Sequence, residues 1–457
     1  MDEDTFDVLN AAEIEHYVLS LRPSKIDELG TEFWLQTHEF MQKLSQQAVL
    51  EASEHREEVV KELMATHSKV SVLVHEAICI SVWREKVLPE LLRLEENIKD
   101  TFLVYCVLFH EATAVALLET VLFHGDSCEA LGDTAVDLLD YCMPLIYQIC
   151  AGYKSPKEPS EASPMDSIKD QEMIICFNIG MRCISILQYL IESMESLPLA
   201  VTSRLYTHHD VPLLLVHLLE VRPWERTDPK HPGRKLKFSD GQWIEVKGED
   251  VLKLTRTEGQ VWLALRQILL RESCARLYDF SDFRRSQLQK VLRYMTDPLL
   301  DQVSPLIDLK QFLCHLQISS GPSSTRKPLI LEVIPEIRKN FLDWGSRKWR
   351  KIAKIQLGTF FQKDQGSIQK MAQSLSSAYN LDVLDRLGGD MAKCAGCGDP
   401  APKRCSRCKT EWYCGRECQV KCWSNHKQVC NSVVEAAEYI GKKETETKQN
   451  ITTQEII

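Results

Sequence analysis

One stretch fixes more of this chain than any other. It reads Cys394-x2-Cys397-x7-Cys405-x2-Cys408-x5-Cys414-x3-Cys418-x7-His426-x3-Cys430. Of the 17 cysteines, eight fall in these 37 residues, so the clustering is not compositional. Thiols two or three residues apart reach one metal ion without stretching the backbone. Four such pairs supply eight ligands, enough for two closed tetrahedral sites. A closed site has no open position for a substrate, so the module is expected to bind rather than catalyse. The alternative is a disulfide cluster. Nothing resembling a secretory signal opens the sequence, and disulfides are rare in reducing compartments, so structural zinc is the expectation.

The same residues resemble the MYND zinc finger. That pattern places an aromatic before the fifth ligand, then Cys-Gln, Trp, His and Cys. Here these are Tyr413, Cys414, Cys418, Gln419, Trp423, His426 and Cys430. The resemblance implies cross-bracing, with Cys394, Cys397, Cys414 and Cys418 on one zinc and Cys405, Cys408, His426 and Cys430 on the other. It also implies a docking role. The peptide-contacting Gln and Trp of co-repressor-class fingers fall on Gln419 and Trp423. An exposed Trp beside hydrogen-bonding groups suits proline rings, whereas a Trp packed inward would only complete a small core. Cys422 is a ninth candidate donor, four residues after Cys418 and four before His426.

Residues 391–430 carry eight Lys and Arg against three acids. Seven thiolates and two zinc ions together contribute −3, so much of that basic charge balances the metal sites. The chain as a whole is acidic, with net charge −10 and pI near 5.8. Nucleic acid and anionic membrane are therefore not expected as main partners. The nearest approach to a membrane span, Phe102–Phe123, contains His110, Glu111 and Glu119, and a buried helix is expected there. Cys79, Cys106, Cys142, Cys150, Cys176, Cys183, Cys274 and Cys314 mostly sit in apolar helical context and are expected as core thiols.

The rest of the chain has helical periodicity. Residues 1–150 form one expected block and 171–387 another. The Pro-, Ser- and Lys-rich segment 151–170 reads as a flexible linker. Thr66–Val74 aligns with Thr207–Leu215, each turn opening an apolar helix, with Pro212 suited to a first helical turn. Two copies of this unit favour an armadillo- or HEAT-like superhelix over a closed bundle. Lys235–Phe238 and Trp243–Val246 flank Ser239-Asp240-Gly241, which predicts a β-hairpin near 235–246. Gly388-Gly389 joins the helical part to the finger at 394–430, and the polar stretch 441–457 is expected to be disordered.

Other chemistry finds little support. His208-x-Asp210 has the opening spacing of a facial iron triad, but a turn between helices is the wrong setting. Arg347–Lys351 with Lys354 is expected to be a solvated helix face with Trp349 turned inward. No P-loop, dinucleotide glycine motif, Gly-x-Ser-x-Gly or His-Glu-x-x-His occurs.

A wider resemblance covers most of the chain. Glu32–Glu39, Glu258–Leu265, Leu299–Gln302, Leu331–Ile337, Lys403–Cys408 and Glu411–Cys414 are similar, in order, to a family of ciliary MYND-domain dynein axonemal assembly factors. Cys422 departs from that family, where histidine is expected. The resemblance implies a non-enzymatic cytoplasmic scaffold that pre-assembles outer and inner dynein arms for motile cilia. Its implied partners are a leucine-rich-repeat assembly factor, cytosolic chaperones, an FK506-binding co-chaperone and axonemal dynein chains as clients. It implies a location in the cytoplasm that includes centriolar satellites, the centrosomal region and dynein assembly foci. The competing expectation is a nuclear co-regulator that recruits repressors through the finger.

Overall fold

The computed structural model describes residues 9–361 except 96–100, 153–163, 229–230, 240 and 319–332. Of the finger it describes 394, 396–397, 401, 403–407, 412–423, 426–427 and 430. The chain divides into two compact units, Met1–Leu387 and Gly388–Ile457. The joint at Gly388-Gly389 and the tail 441–457 lie outside the described residues.

The first unit is built of helices. It opens with α1 (Ala11–Ser20), α2 (Glu32–Ser53), α3 (Val59–Thr66), α4 (Val70–Lys86), α5 (Leu88–Leu94) and α6 (Phe102–Val121). Next come α7 (Gly125–Glu129), α8 (Thr134–Cys150), α9 (Pro164–Glu192), α10 (Leu199–Ser203) and α11 (Val211–Val221). After a small sheet follow α12 (Arg256–Leu270), α13 (Glu272–Leu277), α14 (Asp282–Gln289), α15 (Asp297–Gln302), α16 (Leu306–Ile318), α17 (Ile337–Leu342) and α18 (Ser346–Phe361). The starts are chemically marked. Asn10 and Glu13 close a capping box with two 3.0 Å bonds ahead of α1. Thr31 and Thr255 accept the free N–H groups at the heads of α2 and α12. Pro89 and Pro212 sit in first turns, where a missing N–H costs nothing.

The long helices stack in sequence. α4 packs on α6, α6 on α9, α9 on α12, and α12 on α16, while α2, α8 and α11 pack alongside. The fold is the expected one, mainly α and laid down as successive helices, with a short β-insertion and a C-terminal finger. α6 and α9 are long and apolar enough to cross a membrane by length and composition. Both lie at the centre of this array, and His110 and Glu111 of α6 are fully buried.

Three expectations change. The linker at 151–170 is shorter than its composition suggests, because α9 begins at Pro164. Packing also does not divide there. α9 lies against both α6 and α8, so apolar burial across the segment joins the two helical blocks into one unit. Finally, Cys314 is exposed and Cys150 only half-buried, while Cys128 joins the buried thiols. Periodicity alone did not separate the outer edge of a helix from its core face.

The repeated turn is real in the backbone. Ser68 and Asp210 both adopt left-handed φ values, 53° and 47°. In each copy an N–H reaches back five residues, Lys69 to Met64 and His209 to Arg204. Asp210 is not available to a metal. It accepts from Tyr278 Oη at 2.7 Å and from Arg284 Nε at 2.8 Å. His209 meets another carboxylate, Asp140, at 2.7 Å. The iron-triad reading therefore has no geometry behind it.

The insertion is a three-stranded antiparallel sheet in the order β1 (Glu225–Thr227), β2 (Lys235–Ser239), β3 (Gln242–Val246). The hairpin register pairs Phe238 with Trp243. Both rings pack on Phe177 of α9, at 5.1 Å and 5.7 Å, which fixes the sheet to the helical array.

A buried polar chain crosses the first unit. Glu76 on α4 accepts from the Ser24 N–H at 2.6 Å and lies 3.1 Å from His110 Nε2. His110 Nδ1 lies 2.9 Å from His38 Nδ1, and Trp34 stacks on His38. Beside it, Arg84 grips Glu111 through two bonds of 3.2 Å, and Tyr141 Oη donates to Glu111 at 2.8 Å. The acids and His110 are satisfied within this chain, which lets them sit in an apolar core, while His38 uses Nδ1 and leaves its buried Nε2 without a hydrogen-bond partner.

Candidate metal centre

The finger begins with a ribbon. β4 (Lys403–Arg404) pairs antiparallel with β5 (Trp412–Tyr413), Lys403 opposite Tyr413 and Arg404 opposite Trp412. This register separates the ligands. Cys405 leaves β4 at the end where β5 begins, and Cys414 leaves β5 at the other end. One ribbon thus sends its two following cysteines to two different places.

Those places are two clusters. Cys394, Cys397, Cys414 and Cys418 bring their sulfur atoms within 4.8 Å of one another. Cys405, His426 and Cys430 do the same with all three side chains buried. Cys408 lies outside the described residues. Residues 416–423 are helical, and Cys418 in the first turn comes back beside Cys414, which lies just ahead of the helix; His426 and Cys430 have the same four-residue spacing.

The donors fit zinc. The Sγ–Sγ separations are 3.4 Å for Cys397–Cys414, 3.6 Å for Cys414–Cys418 and 3.9 Å for Cys405–Cys430. Zn–S bonds of about 2.3 Å set tetrahedral edges of ~3.8 Å, while a disulfide requires about 2.05 Å. Thiolates with one imidazole are a soft donor set of the kind that selects zinc. Backbone N–H groups also point at the sulfur. Those of Cys414, then Gly396 and Cys397, hold the Cys394 thiol down at about 6 against the effect of burial. The Gly396 N–H lies 3.4 Å from that sulfur. A bound ion would supply cross-linking free energy that folds the finger, because so few apolar residues line it.

Gly396 has a packing reason. A Cβ there would meet Cys418 Cβ at 3.1 Å and Cys422 Sγ at 3.2 Å. Cys422 therefore lies against the first cluster, on the same helical face as Cys418, and is half-buried.

The two candidate docking residues share the adjoining flank of this helix. Gln419 and Trp423 are both half-buried. Trp423 packs on the cysteine core, its ring 5.9 Å from that of His426. Val420, which spacing did not single out, is 66% exposed on the same helix. An apolar residue that open, beside an amide and half an indole, is a surface able to take a partner side chain.

Residues 394–430 match the family model for the MYND finger. The chain is similar to the zinc finger MYND domain-containing protein 10 homolog of Drosophila melanogaster, 39% identical over 442 residues. That alignment covers 91% of this chain and 97% of the fly protein. Two further similarities are short. A SET and MYND domain-containing protein of Dictyostelium discoideum is 44% identical over 46 residues, 8% of its own length. Ubiquitin carboxyl-terminal hydrolase 19 of Arabidopsis thaliana is 45% identical over 47 residues, 7% of its own length. No solved structure matches the chain.

Proposed function

The chain belongs to the family of zinc finger MYND domain-containing protein 10, and from that premise we propose that it is a non-enzymatic adaptor for axonemal dynein arm assembly. The observation that carries the reading is similarity along 91% of the chain, helical unit and finger together. The likeness to a SET protein and a hydrolase spans only 46 and 47 residues, about the length of the finger, and so does not support reading their chemistry into the helical unit. The finger holds two structural zinc ions, and Cys408 completes the second site with Cys405, His426 and Cys430. The helical unit offers clients a long surface. The helix at 416–423, with Gln419, Val420 and Trp423, is the docking head.

In this reading the protein works in the cytoplasm, including centriolar satellites and dynein assembly foci. There it brings dynein chains together with a leucine-rich-repeat assembly factor, cytosolic chaperones and an FK506-binding co-chaperone. The test is quantitative partner mass spectrometry from differentiating multiciliated cells, comparing the parent protein with Gln419→Ala and Trp423→Ala. Recovery of dynein chains and chaperones, with a subset lost in both variants, is expected. Recovery of chromatin proteins and co-repressors in their place would replace this reading with the nuclear one.

A further inference from the structure

Helix α18 carries five cations and no acid in 16 residues. The chain is −10 overall, so the rest of it carries −15. The inner face of α18 is fully used. Trp349, Ile352, Ala353, Gln356 and Phe360 are buried. Gln356 accepts from Trp83 Nε1 at 2.9 Å and donates to the Ile26 carbonyl at 2.6 Å. Phe360 stacks on Trp83. The helix is a fixed platform, packed on α5.

Its outer face is open. Arg347, Lys351 and Lys354 stand at i, i+4 and i+7, on one stripe, and all three are exposed. Among the described residues none of the three has an ion-pair partner. Lys348 lies over the Trp344 ring at 3.0 Å, and Arg350 approaches Glu90 at 3.8 Å. Ile355, 58% exposed, follows one turn after Lys351.

We propose that this stripe docks an acidic helical segment of a partner protein, with carboxylates at i, i+4 and i+7 and one aliphatic residue seated on Ile355. This goes beyond the docking head assigned to the finger and does not depend on it. Charge complementarity carries the choice of occupant, and the geometry excludes the other polyanions. The stripe is about 10 Å long at 1.5 Å per residue, room for roughly three phosphates, and its tryptophans are covered, so no ring is free to stack a base. A membrane needs a broad apolar face, and α18 has already committed that face to α5.

The probe is a fluorescein-labelled synthetic helix with Glu at i, i+4 and i+7 and a single Leu, titrated into the full-length zinc-loaded protein. R347E/K351E/K354E should weaken binding at least about tenfold and remove its salt dependence, with thermal unfolding unchanged. I355S should weaken binding several-fold while leaving the salt dependence intact. Absence of binding by the parent protein, or equal affinity in the triple variant, would overturn the proposal. So would tighter triple-variant-sensitive binding of oligo(U) RNA or phosphatidylserine vesicles than of the peptide.

Discussion

His110 Nε2 lies 3.1 Å from Glu76 Oε2, and both side chains are fully buried. A carboxylate can only accept, so His110 donates through Nε2. The 2.9 Å contact between the Nδ1 atoms of His110 and His38 then requires one bare and one protonated nitrogen. Three helices, α2, α4 and α6, are tied together by this one chain of donors.

That chain predicts an acid-sensitive fold. Burial alone would raise the Glu76 carboxyl, but bonds from His110, His75 and the Ser24 N–H hold it at about 2. A carboxyl depressed in the fold stabilises above its unfolded value of 4.5, and that contribution is lost as pH falls from 4.5 toward 2. His38 acts higher. Burial, then the neighbouring His110, lowers it well below 6.5. Below 6.5 the unfolded chain gains a proton that the folded chain refuses, so stability falls there first. Urea unfolding across pH should show both windows. His38→Gln should flatten the first, and Glu76→Ala should cost about 3 kcal/mol at neutral pH.

Cys405→Ala should remove metal from the second site and leave the far-UV signal of the helices intact, because Met1–Leu387 is a unit of its own. Elemental analysis beside circular dichroism checks this. A variant that keeps the full metal content of the parent would refute the assignment of Cys405 as a ligand.

Gly396→Ala should weaken the first site. Its new methyl group meets Cys418 and Cys422 at 3.1–3.2 Å, an overpacking that costs about 1–3 kcal/mol. Chelator competition should show at least about tenfold easier loss of zinc. Gly415→Ala is the control, since a Cβ there meets nothing within 4 Å and should leave zinc retention unchanged.

Trp423→Ala and Gln419→Ala should separate stability from docking. Trp423 packs beside the ligand His426, so its removal should speed zinc loss as well as weaken a partner. Gln419→Ala should keep zinc release at the parent rate. Release rates measured with a chromophoric chelator, set against partner recovery, resolve the two effects.

The sequence was most legible where structure is local. Ligand spacing, the Asp-Gly hairpin and the apolar run of α11 each declare themselves within a dozen residues. What sequence reading missed depends on contacts between distant segments. β1 is three residues long, with no alternation to mark it, and exists because β2 pairs with it. Glu76, His110 and His38 look like stray polar residues on apolar helices until α2, α4 and α6 are brought together. Sequence reading began the second helical block at 171 and missed the two turns before it, because α9 opens Pro-Met-Asp-Ser-Ile-Lys-Asp, polar apart from Met165 and the buried Ile168. In the finger the candidate ligand types could be read directly, but which of them cluster follows from strand register, which spacing does not encode.

The helix at 416–423 holds Cys418 of the first cluster and is followed within one turn by His426 of the second. Each end of that segment is therefore pinned by a different site. On the proposed adaptor reading, with zinc in both clusters, emptying either one would free one end of the face formed by Gln419, Val420 and Trp423. That face would then be a logical conjunction, presented only while both sites are filled, and a partner reading it would also read the cell's zinc supply.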